Sequence, residues 1–168
     1  TSQANTLAAA TSGVVTATLS DGDLSTLAGL TETGNAYTIT ITDTSVDAAA
    51  LNTLDGKTTV AVNASNITTL TGAAADLNTA YAANGSSLTG LGNEAATLSD
   101  TTLAVAVLNT LDGNTSGTVN ANSVTTLTGA AADLNTAYDS AGISNLGNEA
   151  VTLSDTTLAV SVLNTLDG

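Results

Sequence analysis

Apolar residues return at every second position in six short stretches of this chain, and each stretch leads through a polar corner into apolar residues spaced four apart. The first period is that of a strand with one buried face, the second that of a helix. Aligned on the first apolar residue after the corner, the segments are anchored at Leu24, Val46, Ile67, Leu103, Val124 and Leu158. Five residues earlier stand Leu19, Ile41, Val62, Leu98, Val119 and Leu153, and seven earlier Ala17, Ile39, Val60, Ala96, Gly117 and Val151. The residues between them are mostly Ser, Thr and Asn. A constant phase predicts that equivalent strands pair in parallel and in register, with apolar columns inside and a Ser/Thr/Asn face outside.

After the corners, Leu103, Val107 and Leu111 share one helical face, as do Val46, Ala50 and Leu54. A second helix is expected on Leu70, Ala74, Leu77 and Tyr81, with its copy on Leu127, Ala131, Leu134 and Tyr138, and with Thr71 and Thr128 as N-caps. Asp55-Gly56, Asp112-Gly113 and Asp167-Gly168 close the first type, with Gly able to take the left-handed C′ conformation. Helices this short do not persist alone and must be held by stacking. The expected fold class is α/β: a repetitive β/α solenoid with a parallel, in-register sheet and short helices. The leucine-rich repeat is a relative in architecture, but its LxxLxLxxN signature is absent. The alternative is an all-β solenoid with the apolar runs as further strands, which frequent Thr and Val would suit. AAADLNTAY, a poor strand former, favours helices.

The alternation belongs to a larger repeat. Residues 51–107 run from LNTLDG through NITTLTGAAADLNTAY to GNEAATLSDTTLAVAV, and residues 108–162 repeat them nearly word for word in a copy two residues shorter. Residues 163–168 begin a third copy, and residues 1–50 read as divergent coils of the same array. Such self-similarity is the mark of a stacked array. The chain opens late in one repeat and closes at the same point of another, as a segment of a longer array would.

Composition narrows the interior. Hydrophobic residues make up 42% of the chain, yet Phe, Trp, Met and Cys are absent and only Tyr37, Tyr81 and Tyr138 are aromatic. Small side chains demand close backbone approach, which suits narrow coils. The net charge is −14, with Lys57 the only cation. That balance argues against nucleic acid, whose phosphates need clustered Lys and Arg, and against an anionic membrane surface. No apolar run approaches membrane-spanning length.

The acidic residues are the only candidate chemistry. Asp21, Asp43, Asp100 and Asp155 recur at the corners, with Ala64 and Ala121 in the other two coils. They are candidate calcium ligands, since carboxylate oxygens suit that hard cation. Helix capping is the favoured reading, because Asp accepts from helix N-termini and complements the dipole. Asp55, Asp112 and Asp167 read as turn residues, and Asn93-Glu94 and Asn148-Glu149 could lend an oxygen to an ion. Without His or Cys no nucleophile–base pair can be built, and Lys57 gives way to Asn114 in the next copy, so no enzyme is expected. A second functional class is an adhesive or ice-binding module that uses outward Thr40, Thr97 and Thr152, though Ala61, Asn63 and Asn120 interrupt that ladder.

YTITITDTSVDAAALNTLDG and VTTLTGAAADLNTAY resemble repeats of very large secreted surface proteins of bacteria, particularly cyanobacteria, and the resemblance covers essentially the whole chain. It implies an extracellular location in a surface layer, sheath, filament or adhesin stalk. The expected role is a structural repeat module without a cofactor. Its partner is itself, as an end-to-end homopolymer or as neighbouring repeats of a longer chain, with neither nucleic acid nor membrane insertion.

Overall fold

A computed structural model describes residues 1–167; Gly168, and the side chains of Leu166 and of Asp167 in the third Asp-Gly pair, lie outside the described residues. Helix α1 (Ser2–Ala9) precedes β1 (Thr16–Thr18), α2 (Leu24–Leu27), β2 (Ala36–Thr38) and β3 (Ser45–Asp47). Helix α3 (Ala48–Asp55) follows β3 directly, and β4 (Val62–Asn63), β5 (Thr69–Gly72) and α4 (Ala74–Ala83) come next. Strands β6 (Leu88–Thr89), β7 (Ala95–Leu98) and β8 (Thr102–Ala104) lead into α5 (Val105–Asn114). Then follow β9 (Val119–Asn120), β10 (Thr126–Gly129), α6 (Ala131–Asp139), β11 (Ile143–Ser144), β12 (Ala150–Leu153) and α7 (Val160–Asp167).

The protein is mixed α/β, with several parallel sheets, short helices and, among the described residues, no closed barrel. The sheets are β1-β2, β4-β6, β11-β9-β7-β5-β3 and β12-β10-β8, and every pairing between named strands is parallel. In the five-stranded sheet Val46, Leu70, Ala96 and Val119 lie in one file and are buried, with Ile143 half-buried at its end. The neighbouring file is Asp47, Thr71, Thr97, Asn120 and Ser144, all at least partly exposed. One apolar face and one hydroxyl-rich face follow from the strand period of two. The core is one continuous cluster running from Ala4 to Ala137.

The pairing corrects the expected columns. Val46 faces Leu70 and Leu103 faces Leu127, so the anchors at Ile67 and Val124 belong three residues later. Ile67 and Val124 are buried in turns instead, their amides donating to Ala64 and Ala121. Val62 faces Leu88 rather than Leu98, and Leu98 faces Gly72. Val60, expected inside, is 36% exposed. The physical reason for the Val62 and Leu98 mismatch is the extra strand between α4 and α5. Three strands (β6, β7, β8) precede α5, whereas two (β9, β10) precede α6. Strand β7 therefore pairs with β5 on one edge and with β9 on the other, which shifts the strand files by one strand. Alternation along one strand records its phase but not which neighbour it meets.

Helix positions shift as well. The AAADLNTAY stretches are helical, but Leu70 and Leu127 sit in β5 and β10, and Val46 and Leu103 in β3 and β8. The buried faces are Ala48, Leu51 and Leu54 in α3 and Val105, Leu108 and Leu111 in α5, at intervals of three. The expected left-handed glycines are absent from these helix ends. Gly56 has φ −66°, and Gly113 lies within α5.

Candidate functional site

The contacts between successive layers concentrate the polar chemistry of the chain. The four corner aspartates each meet the start of a helix, but of the helix that precedes them in the chain. Asp43 Oδ2 accepts from Leu24 N at 2.7 Å, Asp100 Oδ2 from Ala74 N at 2.7 Å, and Asp155 Oδ2 from Ala131 N at 2.8 Å. Asp21 pairs with the terminal amino group of Thr1 at the head of α1, and that hydrogen bond holds its carboxyl below the ordinary carboxylate value. Helices α4 and α6 are thus capped from the neighbouring layer. Their own N-cap residues are Ala73 and Ala130, without a side-chain bond, and Thr71 and Thr128 lie within β5 and β10. Helix α3 is capped locally, by Asp47 accepting from Ala50 N at 3.0 Å. Among the described residues no group of three or more His, Cys, Asp or Glu converges as a metal-binding set. Asp21, Asp43, Asp100 and Asp155 are separated, one to each helix start.

This geometry sets an expected outcome. Asp100→Ala removes the one side-chain acceptor found at the α4 N-terminus among the described residues and should cost about 1 kcal/mol of stability in urea unfolding, whereas Asp100→Asn, which keeps an acceptor, should cost less than half of that. Equal losses for the two variants would show that the hydrogen bond is not what Asp100 contributes.

A second set of contacts joins the helices themselves, and no local signal in the sequence marks it beyond the recurrence of Asn-Thr. Asn5 Nδ2 donates to Gly29 O at 2.7 Å, Asn52 Nδ2 to Asp76 O at 2.9 Å and Asn109 Nδ2 to Asp133 O at 2.9 Å, each 24 residues along. Asn78 Nδ2 reaches Val107 O in the same way at 3.2 Å. The Thr that follows each of these Asn residues donates to the carbonyl four residues earlier in its own helix. So Asn ties one helix to the next while Thr closes its own turn.

Asp55 and Asp112 also act across layers, accepting at Oδ2 from Ser87 Oγ and Ser140 Oγ, both at 2.6 Å. Glu94 is 1% exposed, and its Oε2 takes the amides of Gly92 at 2.8 Å and Asn93 at 3.2 Å. Beside it, burial pushes the Tyr81 hydroxyl up to about 12, with the Glu94 charge adding to the effect. In the next copy Tyr138 Oη donates to Glu149 Oε2 at 3.3 Å, and Gly147 N donates to the same oxygen. These carboxylates organise their own loops and neighbours.

The Thr residues expected to form one outward ladder are not brought together. Thr40 pairs with Asn63, Thr97 belongs to the five-stranded sheet and Thr152 to the three-stranded one.

The class these features define is a mixed α/β protein of several parallel sheets and short helices, its elements tied by side-chain-to-backbone hydrogen bonds. No family model matches the chain, and no curated protein or solved structure matches it.

Proposed function

We propose that the chain is a structural repeat module of an extracellular bacterial surface assembly, a β/α solenoid whose coils stack end to end to supply length and surface rather than catalysis. One observation carries this reading. Val105 and Leu108 are 0% exposed between neighbours, while Val160 and Leu163, at the same positions of the next copy, are 72% and 41% exposed. The same buried pattern occurs in an earlier helix, where Ala48, Leu51 and Leu54 are buried as Val105, Leu108 and Leu111 are. Each layer therefore buries its apolar residues against the next, at about 1.5–3 kcal/mol for each Val or Leu fully buried. The natural partner of such a surface is a further layer, from neighbouring repeats of a longer chain or from another copy. The extracellular placement rests on the resemblance of the repeats to those of secreted bacterial surface proteins, and the charge of −14 with a single Lys fits a soluble, solvent-facing array.

Appending one, two and three further copies of residues 108–162 tests the reading. Nearest-neighbour stacking makes the urea midpoint rise with copy number, and electron microscopy should find rods of constant width that lengthen in proportion. A midpoint independent of copy number, or beads that do not join, would refute it.

A further inference from the structure

Helix α2 is a shortened counterpart of α3. Residues 24–29 read LSTLAG where residues 51–56 read LNTLDG, and α2 has four residues against the eight of α3. Two departures remove polar groups that act between elements elsewhere. Ser25 stands in the place of Asn52, and its Oγ donates to Asp23 within its own turn, so among the described residues no tie of the Asn52 kind joins α2 to α3. Ala28 stands in the place of Asp55, whose counterpart in α5 is Asp112. A cavity of about 260 Å³ lies between the two helices, lined by Leu27, Ala28, Ala50, Thr53, Leu54 and Lys57. Leu27 and Leu54 are buried, whereas Ala28 and Thr53 are exposed. The Thr53 hydroxyl donates to Ala49 O at 2.8 Å, and no carboxylate lines the cavity.

The third departure is Lys57. In the next copy its place is taken by Asn114, whose Nδ2 donates to Asn78 Oδ1 and so bridges α5 to α4. Lys57 is the only cationic side chain in a chain of charge −14, yet among the described residues its ammonium forms no salt bridge; the one ion pair there joins Thr1 to Asp21. Lys57 is half-buried, and Nζ donates to Thr31 O at 3.2 Å. That bond holds the ammonium at the cavity and leaves its remaining N–H donors for another acceptor. We propose that the cavity between α2 and α3 is a binding site for a small amphiphilic carboxylate. The carboxylate pairs with the Lys57 ammonium, and a short aliphatic tail packs on Leu27, Ala28, Ala50 and Leu54. Apolar walls with one placed charge are the usual make-up of a small-ligand site, and a volume just under the ~300 Å³ at which such sites begin keeps the tail short. The 15 carboxylates of the chain repel an anion from the rest of the surface. Only here is the Asp of α3 and α5 replaced by Ala beside an unpaired cation.

The test titrates octanoate into the 168-residue chain at constant ionic strength and follows the methyl signals by NMR. Those of Leu27, Ala28, Ala50 and Leu54 should shift saturably, and those of Leu108 and Leu111 in α5 should not. Acetate, which lacks the tail, should give no saturable shift. Lys57→Gln removes the charge but keeps a donor, and it should weaken octanoate about tenfold or more, as loss of a charged partner does. Ala28→Asp places at the exposed rim the residue that α3 and α5 carry, and it should abolish binding. Circular dichroism unchanged in both variants shows that the fold is intact. Octanol, with the same tail and no charge, should bind at least about tenfold more weakly than octanoate. Absence of saturable shifts with octanoate, equal binding of octanol, or undiminished binding by the folded Lys57→Gln variant overturns the proposal.

Discussion

Leu108→Ala is expected to lower the free energy of unfolding by about 2–5 kcal/mol, and Leu163→Ala by less than about 1 kcal/mol. The two leucines occupy the same place in the Val-Leu-Asn-Thr-Leu-Asp-Gly run of consecutive copies. Leu108 is 0% exposed and Leu163 41% exposed, so truncation leaves a cavity at the first and little more than lost surface at the second. Urea unfolding of both variants measures the difference. Similar losses would mean that the burial of Leu108 is not what it contributes to stability. Under the proposed stacking, the Leu163 penalty should rise toward that of Leu108 once another copy of residues 108–162 follows it.

The second large effect concerns backbone approach. A Cβ at Gly117 would lie 2.2 Å from Glu94 O, 2.4 Å from its carbonyl carbon and 2.8 Å from Ala95 N. All three are backbone atoms and cannot swing aside. Gly117→Ala should therefore cost about 1–3 kcal/mol or more, as overpacking does, by parting the start of β9 from β7. Gly113→Ala is the natural control. Nothing lies within 4 Å of its Cβ position and it sits inside α5, so the change should stabilise by about 0.5–1 kcal/mol through helix propensity. Amide exchange at Ala96, which donates to Thr118 O, and at Ser116, which donates to Gly92 O, should quicken in the first variant and not in the second. Unchanged exchange with a full loss of stability would place the damage elsewhere.

Several features were legible from residues alone because they are local. The strand period of two survives in the Val46 and Asp47 files, and AADLNTAY is helical because its Ala and Leu spacing suits no half-buried strand. Asp as a helix cap was also readable, since its carboxylate matches the free amides of a helix start. Which helix it caps was not. Asp100 serves Ala74, 26 residues back, and only stacking carries its carboxylate there. The Asn5, Asn52 and Asn109 ties were hidden for the same reason, as their acceptors are main-chain carbonyls that leave no trace in residue identity. Gly117 looked like one more member of an apolar column, whereas its missing Cβ admits the Glu94 carbonyl.

By itself, the sequence determined the repeat, the two periods, the strongly acidic surface and the absence of any His- or Cys-based chemistry, because each is written in residue type and spacing. The tertiary structure alone decided the pairing of layers. The extra strand before α5 lets β7 meet β5 on one edge and β9 on the other. Thr40, Thr97 and Thr152 fall in separate ladders, and Asp43, Asp100 and Asp155 each reach the helix behind them, in coils with and without that strand. The physical reason is that a parallel strand finds its neighbour through the whole path of the intervening chain, and a pattern read along one strand holds no record of that path.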